Sequence, residues 1–388
     1  MPATEHLRPG VLIVGVSTRA LAVSAARAGY RVTAIDAFGD LDLRGAAETV
    51  TLRPEYGMQY SPMAAARAAE TVSENLVAYT SNLENHPGAV ALLARNRCLL
   101  GNPASVLRRV RNPIELMRAL RRRGFASPRA RITRVSAERG PRSWLLKPRR
   151  SGGGHGTGRW RAGQSVPKTH YLQERIFGTP GSIVFAADGR RAALLGVTRQ
   201  LVADPQFGAH GFRYCGSMLG PATDLFPGHR ELAEIAGRIA EAVTEEFGLV
   251  GLNGIDFIAR NGVPYPIEVN PRYSASMELI ERGQGLSIFE AHVEACRGKL
   301  PAAPGSPATV QGKAIVFARR NVVLGDTRPW LGQSWVADVP HPGERIGRGR
   351  PICTIFATGR DAAACYRLLV RRAASVYRAA KAPRRGAA

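Results

Sequence analysis

Three features of the chain predict an α/β protein of several successive units. The first is a strand–turn–helix–strand pattern near the N-terminus. The second is an apolar strand ending in Lys147 that runs into a glycine-rich loop, and the third is a later hairpin carrying Asp256, Glu268, Asn270 and Arg272. At 388 residues there is room for two or three domains with full cores. Hydrophobic residues make up 45% and charged residues 22%, an ordinary balance for a globular protein.

At the N-terminal end, Val11–Val14 reads as a strand, Gly15–Arg19 as a turn, and Ala20 onward as a helix stopped by Gly29. Arg31–Asp36 reads as the second strand. Gly15-x-Ser17-x-x-Ala20 is a degraded dinucleotide fingerprint, with Asp36 near the position of a ribose-binding acid. Ser17 stands where a glycine must let the backbone approach pyrophosphate, which argues against NAD. The Ser17–Arg19 turn either meets an anion at the helix N-terminus or caps that helix, and the cap is the expected role.

Trp144–Pro148 is a short strand. Five glycines follow within positions 152–158 (Gly152, Gly153, Gly154, Gly156 and Gly158), which rules out a helix or strand interior. Such a run brings backbone N–H groups close to an anion, and Lys147 adds a point charge suited to phosphate. The lysine precedes the glycines, so the P-loop pattern does not apply. Tyr171–Glu174 then reads as a strand that turns at Gly178 and Gly181 into another. Further on, Gly196–Gln200 and Phe207–Gly216 mix glycines, aromatics and arginines, as substrate-binding loops do. Arg199 and Arg213 are candidate substrate residues, Arg213 as a carboxylate clamp, and His210 is a candidate to assist the amine.

Alternation places Glu268 and Asn270 on one face of the last strand, and Asp256 shares that face only if it lies opposite Glu268. A strict two-residue Asn261-Gly262 turn would set Asp256 against Ile267. A three- or five-residue loop or a bulge is therefore expected. Two carboxylates and an amide oxygen on one face suit a hard cation such as Mg²⁺, with Mn²⁺ the alternative.

The order of these elements resembles the ATP-grasp superfamily: strand lysine, glycine loop, Gln-Glu hinge, Asp strand, then Glu-x-Asn-Pro-Arg. Within it, the chain is similar to carbamoyl-phosphate-synthase-like and tyramine–glutamate-ligase-like members, some linked to one-carbon cofactor synthesis. The resemblance implies a Rossmann-like pre-ATP-grasp domain (1–103), a small lobe with the glycine loop (104–168), a large lobe with the metal site (169–303) and a small β-rich C-terminal module (304–388). It implies ATP as cosubstrate: Lys147 on the α/β-phosphates, Gly152, Gly153 and Gly154 over the triphosphate, and Glu174 and Ile176 at the adenine hinge. It further implies metal on Asp256, Glu268 and Asn270, and Arg272 beside the transferred phosphoryl group. One departure is plain. Many members carry an Asp-Lys pair before the central strands, whereas this chain has Arg108-Arg-Val-Arg111-Asn112-Pro113, so Arg109 or Arg111 is left to supply the charge.

The implied reaction is ATP-dependent carboxylate–amine ligation through an acyl phosphate, on small and anionic substrates such as an acidic amino acid. A carboxyphosphate-forming carboxylase and a non-catalytic basic nucleotide-binding protein stay open. The net charge of +24 is spread along the chain, with clusters at Arg108–Arg123 and Arg367–Arg385 and no nucleic-acid-binding signature. Nucleic acid is therefore not the expected main partner. A homo-oligomer remains open. No apolar run reaches membrane-spanning length, and Met1–His6 lacks a signal-peptide profile. The five scattered cysteines fit a reduced cytoplasmic setting.

Overall fold

The computed structural model describes residues 8–52, 59–132, 143–305 and 307–381. The Met1–His6 segment and the end of the basic tail lie outside the described residues. The N-terminal unit is a five-stranded parallel sheet of β1 (Arg8–Val14), β2 (Tyr30–Asp36), β3 (Glu48–Thr51), β4 (Leu76–Tyr79) and β5 (Cys98–Leu100), in the order β3-β2-β1-β4-β5. Val11–Val14 are fully buried because helices cover both faces, the usual state of parallel strands. The strand order reverses direction between β1 and β4, and the crevice at such a reversal is where α/β sheets bind ligands. Two loops line it, Gly15–Thr18 and Thr80–His86. Gly15 is required there, since a Cβ would lie 1.8 Å from Thr80 Oγ1.

The expected second strand and helix stop are present, with Gly29 at φ +84°. The Ser17–Arg19 turn behaves differently from expectation. Thr18 makes no side-chain cap; its N–H and hydroxyl both donate to Asp36, at 2.6 and 2.8 Å. Asp36 is thus spent inside its own domain. Arg19 instead leaves the turn and pairs with Glu278 and Asp338.

A small lobe follows, with β6 (Ala130–Arg131), β7 (Trp144–Pro148), β8 (Gly158–Arg159) and β9 (His170–Glu174) in the antiparallel order β6-β9-β7-β8. β9 pairs with β7 along its length, so the small lobe runs past the expected boundary at residue 168.

The large lobe begins at β10 (Thr179–Asp188) and continues through β11 (Ala192–Val202), β12 (Tyr214–Leu219), β13 (Val250–Arg260) and β14 (Val263–Asn270). The C-terminal strands are β15 (Val310–Phe317), β16 (Val322–Leu324), β17 (Val336–Ala337), β18 (Arg345–Ile346), β19 (Pro351–Gly359) and β20 (Ala380–Lys381). Three of these, β15, β19 and β17, extend the large-lobe sheet into one eight-stranded sheet, β14-β13-β10-β11-β12-β15-β19-β17. The C-terminal segment is therefore continuous with the large lobe: β15 hydrogen-bonds to β12. Asp361 caps the final helix Ala362–Ala379 as expected, accepting from Ala364 N at 2.7 Å.

Helix Leu232–Phe247 packs on one face of this sheet through Ala236, Ile239, Ala240, Val243 and Phe247, the i, i+3, i+4 spacing of a buried stripe. Helix Ile288–Cys296 shares a core with the N-terminal sheet. Its Phe289 sits edge-on to Tyr30 at 5.0 Å, and its N–H donates to Ser24 Oγ at 3.0 Å. Among the described residues, no helix is long and apolar enough to cross a membrane.

Candidate functional site

The β13–β14 hairpin resolves the register question by the bulge alone. Asn261 and Gly262 form a two-residue turn at φ +50° and +81°, and Arg260 faces Val263. The register then slips at Ile267, so that Phe257 faces Pro266 while Asp256 faces Glu268. One extra residue turns both carboxylates to the same face. The longer-loop alternative is not realised.

That face is polar across several strands. Asp256 lies opposite Ser182 on β10, and Ser182 opposite Thr198 on β11. Asp256 Oδ1 accepts from Gln200 Nε2 at 2.8 Å, and its Oδ2 accepts from Asn270 Nδ2 at 3.0 Å. Burial, and then the facing Glu268 carboxylate, push Asp256 up to about 7. Burial works against Glu268 too, but Lys147 and Arg111 outweigh it and hold its pKa below the ordinary range. The pair therefore splits, as two crowded carboxylates must.

Lys147 reaches the hairpin from the small lobe. Its ammonium donates to Gln173 Oε1 at 3.0 Å, and Gln173 Nε2 donates to the bulge carbonyl of Ile267 at 2.9 Å. Burial pulls the lysine pKa down, while Tyr171 and Glu268 more than restore it. The ammonium thus stays charged in a buried setting.

Of the two candidate arginines, Arg111 is the one in the cleft. It lies 3.6 Å from Glu268 and donates to the carbonyls of Val269 at 2.8 Å and Ser151 at 3.0 Å, and to Asn85 Oδ1 at 2.9 Å. Arg109 is on the exterior, with Glu115 and the Glu246 carbonyl. Pro113 still opens its helix, which Asn112 caps through Ile114 N at 3.1 Å.

Arg272 donates to Glu84 Oε1 at 2.8 Å and to Asn270 Oδ1 at 3.2 Å. Glu84 and Asn85 come from the N-terminal domain, and the sequence reading passed over both. Their signal was position: they follow β4 at the strand-order reversal, where sheet loops meet ligands. Buried polar atoms without a partner collect here, including Arg111 Nε, Arg272 Nε, Glu84 Oε2 and Ser182 Oγ. Such atoms are costly to leave unpaired unless something else binds them.

The glycine loop closes against the segment before β12. Tyr214 N donates to Gly153 O at 3.0 Å, and a Cβ on Gly154 would lie 1.8 Å from Phe212 O. Together these parts enclose a cavity of about 360 Å³. Its polar lining includes Lys147, Arg111, Asp256, Glu268, Asn270 and Arg272, and Gly152–Gly154 also line it. Its apolar lining includes Val110, Leu116, Leu145, Ile176, Phe177 and Ile258, and Glu174 lines it too. Arg199, on β11 out of phase with Gln200, does not line this cavity, and neither do Arg213 and His210. The last two line a separate pocket.

Residues 110–276, which hold this cavity, match the family model described as an ATP-grasp domain. The chain carries an ATP-grasp domain. Among curated proteins it is 26% identical over 142 residues to an uncharacterized protein of Methanocaldococcus jannaschii, covering 37% of this chain and 34% of that one. It is 28% identical over 152 residues to the carbamoyl phosphate synthase large chain of Thermoanaerobacter sp., covering 35% of this chain and 14% of that one. The chain thus spans well under two thirds of either relative. Among solved structures, biotin carboxylase from Campylobacter jejuni superimposes with TM-score 0.71 at 13% identity, over 97% of this chain and 92% of that one. L-amino acid ligase from Bacillus licheniformis gives 0.66 at 16%, over 95% and 98%. The likeness in fold therefore extends through nearly the whole chain.

The ATP-grasp hairpin suits Mg²⁺ or Mn²⁺ by its donors. Asp256 and Glu268 are like charges face to face, a repulsion that a divalent cation relieves, and Asn270 adds an amide oxygen. Among the described residues, no group of three His, Cys, Asp or Glu side chains is placed to hold a metal. Water and phosphate oxygens would have to complete the shell, as is usual for Mg²⁺.

Proposed function

We propose that the protein is an ATP-dependent carboxylate–amine ligase acting through an acyl phosphate. One observation carries this reading: Lys147, the glycine loop, the Glu174–Phe177 hinge and the facing Asp256–Glu268 pair converge on one cavity. Adenine would lie against the apolar lining at Ile176 and Phe177, with Glu174 at its edge. Lys147 would hold α/β-phosphate oxygens as a fixed point charge. Gly152, Gly153 and Gly154 would follow the triphosphate with their amides, without side chains to obstruct it. Arg111 takes the place of the missing small-lobe lysine.

Asp256, Glu268 and Asn270 would hold the divalent cation, which when bound neutralises β- and γ-phosphate oxygens. Arg272, oriented by Glu84, would stand beside the γ-phosphoryl group as charge develops on it. A carboxylate oxygen of the acid substrate attacks the γ-phosphorus, and ADP leaves. The amine nitrogen then attacks the acyl carbon, and inorganic phosphate leaves. The glycine loop, held to the segment before β12, keeps water from the mixed anhydride. No imidazole lines the cavity among the described residues, so the amine is taken to arrive unprotonated. An acidic amino acid, used in cofactor biosynthesis in the cytoplasm, is the substrate we favour, since the net charge of +24 draws anions.

The test is ADP release from Mg-ATP with pooled carboxylates in hydroxylamine, reading hydroxamate by colour. Hydroxamate with one acid names the acyl donor. A second reading, carboxyphosphate formation, draws support from the likeness in fold to biotin carboxylase. Release of ADP that requires bicarbonate and yields no hydroxamate would replace the ligase reading with it. Tight ATP binding with no ADP under any mixture would remove both.

A further inference from the structure

Arg213 and His210 line a second pocket, on the far side of the segment that closes the glycine loop. It is open, about 770 Å³, and bounded by the β11–β12 connection, the end of β15 and the turn before β19. Its lining includes His210, Arg213, Arg319 and Arg348 and no carboxylate. The nearest acid in sequence, Asp204, is already committed: it accepts from Gln206 N at 2.8 Å and from Tyr366 OH at 2.7 Å. None of the three arginines has a carboxylate partner among the described residues.

Two of the guanidinium groups are held in place by neutral acceptors. Arg319 donates to the carbonyls of Pro205 and Gln206, both at 3.0 Å, and stacks 4.1 Å from the Tyr377 ring centroid. Arg213 donates to Gly349 O at 2.6 Å and lies 4.9 Å from the Phe317 ring centroid. Carbonyls and rings orient a guanidinium without neutralising it, and each fork keeps further N–H donors. The wall is itself firmly built. Phe207 is fully buried, and Gly208, at φ +73°, permits a close approach that a Cβ would block at 2.4 Å from Phe317 O. Like charges gathered on a rigid wall repel one another unless an anion lies between them.

We propose that this pocket is a second anion site, separate from the nucleotide cavity, for a small molecule bearing a phosphate or two or more carboxylates. Arg213 and Arg348 are its principal donors, with Arg319 as a fixed cation. Phe212 and Tyr214, on the same segment, line the nucleotide cavity. A ligand here would therefore brace the strip of backbone against which Gly153 and Gly154 close. The proposal does not depend on the ligase reading, since it concerns binding at different residues.

The test is calorimetric titration of inorganic phosphate, and separately of citrate, into the full chain at low salt. Wild type is compared with Arg213→Gln/Arg348→Ala, Lys147→Ala and Arg190→Ala; the last removes an exposed arginine on the β10–β11 turn. We expect a saturable site whose affinity drops at least about tenfold in the double variant, as loss of charge-assisted hydrogen bonds requires. Affinity in Arg190→Ala should match wild type, and Lys147→Ala reports any separate, additional binding in the nucleotide cavity. Tighter binding of phosphate identifies a phosphate ligand, and tighter binding of citrate a polycarboxylate; either supports the site. Loss in Lys147→Ala with retention in the double variant would place the anion in the nucleotide cavity and overturn the proposal. Equal losses in Arg190→Ala and the double variant would reduce the effect to the general positive field, and overturn it too. Arg348 is exposed, so Arg348→Ala alone, expected to weaken binding in the same direction, serves if the double variant fails to fold.

Discussion

Two buried ionic clusters share one face of the eight-stranded sheet, and they shift their central carboxylates in opposite directions. In the first, Glu278 receives Arg19 from the N-terminal domain and Lys313 from β15, the latter at 2.6 Å; Asp338 completes the group on Arg19 at 2.9 Å. Burial resists the Glu278 charge, but Arg19 and Lys313 overwhelm it and drive its pKa far down. In the second, Asp256 and Glu268 face each other, and Asp256 is instead pushed up to about 7. In the first, two cations sit directly on Glu278 and join two domains, with Asp338 and Asp42 also on Arg19. The other sets two carboxylates face to face, with the unpaired atoms of Arg111, Arg272 and Glu84 around them. A carboxylate with cations directly on it serves the fold, whereas two facing carboxylates are poised for a cation.

The contrast breaks most sharply at Glu268. Glu268→Gln should lower ADP release by about 10²–10³-fold or more while leaving the unfolding midpoint near wild type. Wild-type turnover at saturating Mg²⁺ would remove the metal assignment. Glu278→Ala should do the reverse. Lys313 loses its acid and Arg19 keeps Asp338 and Asp42, so the cost should be about 3–5 kcal/mol in denaturant unfolding, because the lysine charge stays buried. Loss of less than about 1 kcal/mol would show the clasp to be incidental.

A smaller effect sharpens the choice between neighbouring arginines. Arg111→Ala should raise KM for ATP about tenfold or more, since a buried charge contact is lost. Arg109→Ala, on the exterior, should leave KM within about twofold of wild type. Equal effects would dissolve the distinction drawn from their positions. The mildest prediction concerns pH. A raised pKa means Asp256 is protonated below 7 and must release that proton to bind a cation. Mg²⁺ affinity should therefore weaken as pH falls from 8 to 6, approaching about tenfold per unit below 7. The same titration on Asp256→Asn should lose most of that slope; an unchanged slope would assign the proton elsewhere.

The legible parts of the site were those carried by local pattern. Lys147 at a strand end, the glycine run, and the alternating Glu268-x-Asn270 all follow from rules spanning a few residues. The bulge at Ile267 was legible as a requirement, because the polar face demanded it, although its form was not. Arg111 could be narrowed to one of two arginines and no further, since helix phase alone does not say which neighbour will face a cleft. Glu84 and Asn85 were missed because their partners, Arg272 and Arg111, lie far along the chain.

The sequence by itself determined the kinds of element, their order and the chemical character of each strand end, because backbone periodicity and glycine conformation are local properties. It also argued against an NAD site at Asp36, since Ser17 stands where a glycine must let the backbone approach pyrophosphate. Tertiary structure decided which charges meet. It brought Arg19 to Glu278 across two domains, ran the C-terminal strands into the large-lobe sheet, and moved Arg213 and His210 out of the nucleotide cavity into a pocket of their own. Coulomb energies depend on distance and burial, and neither is set until the domains have packed.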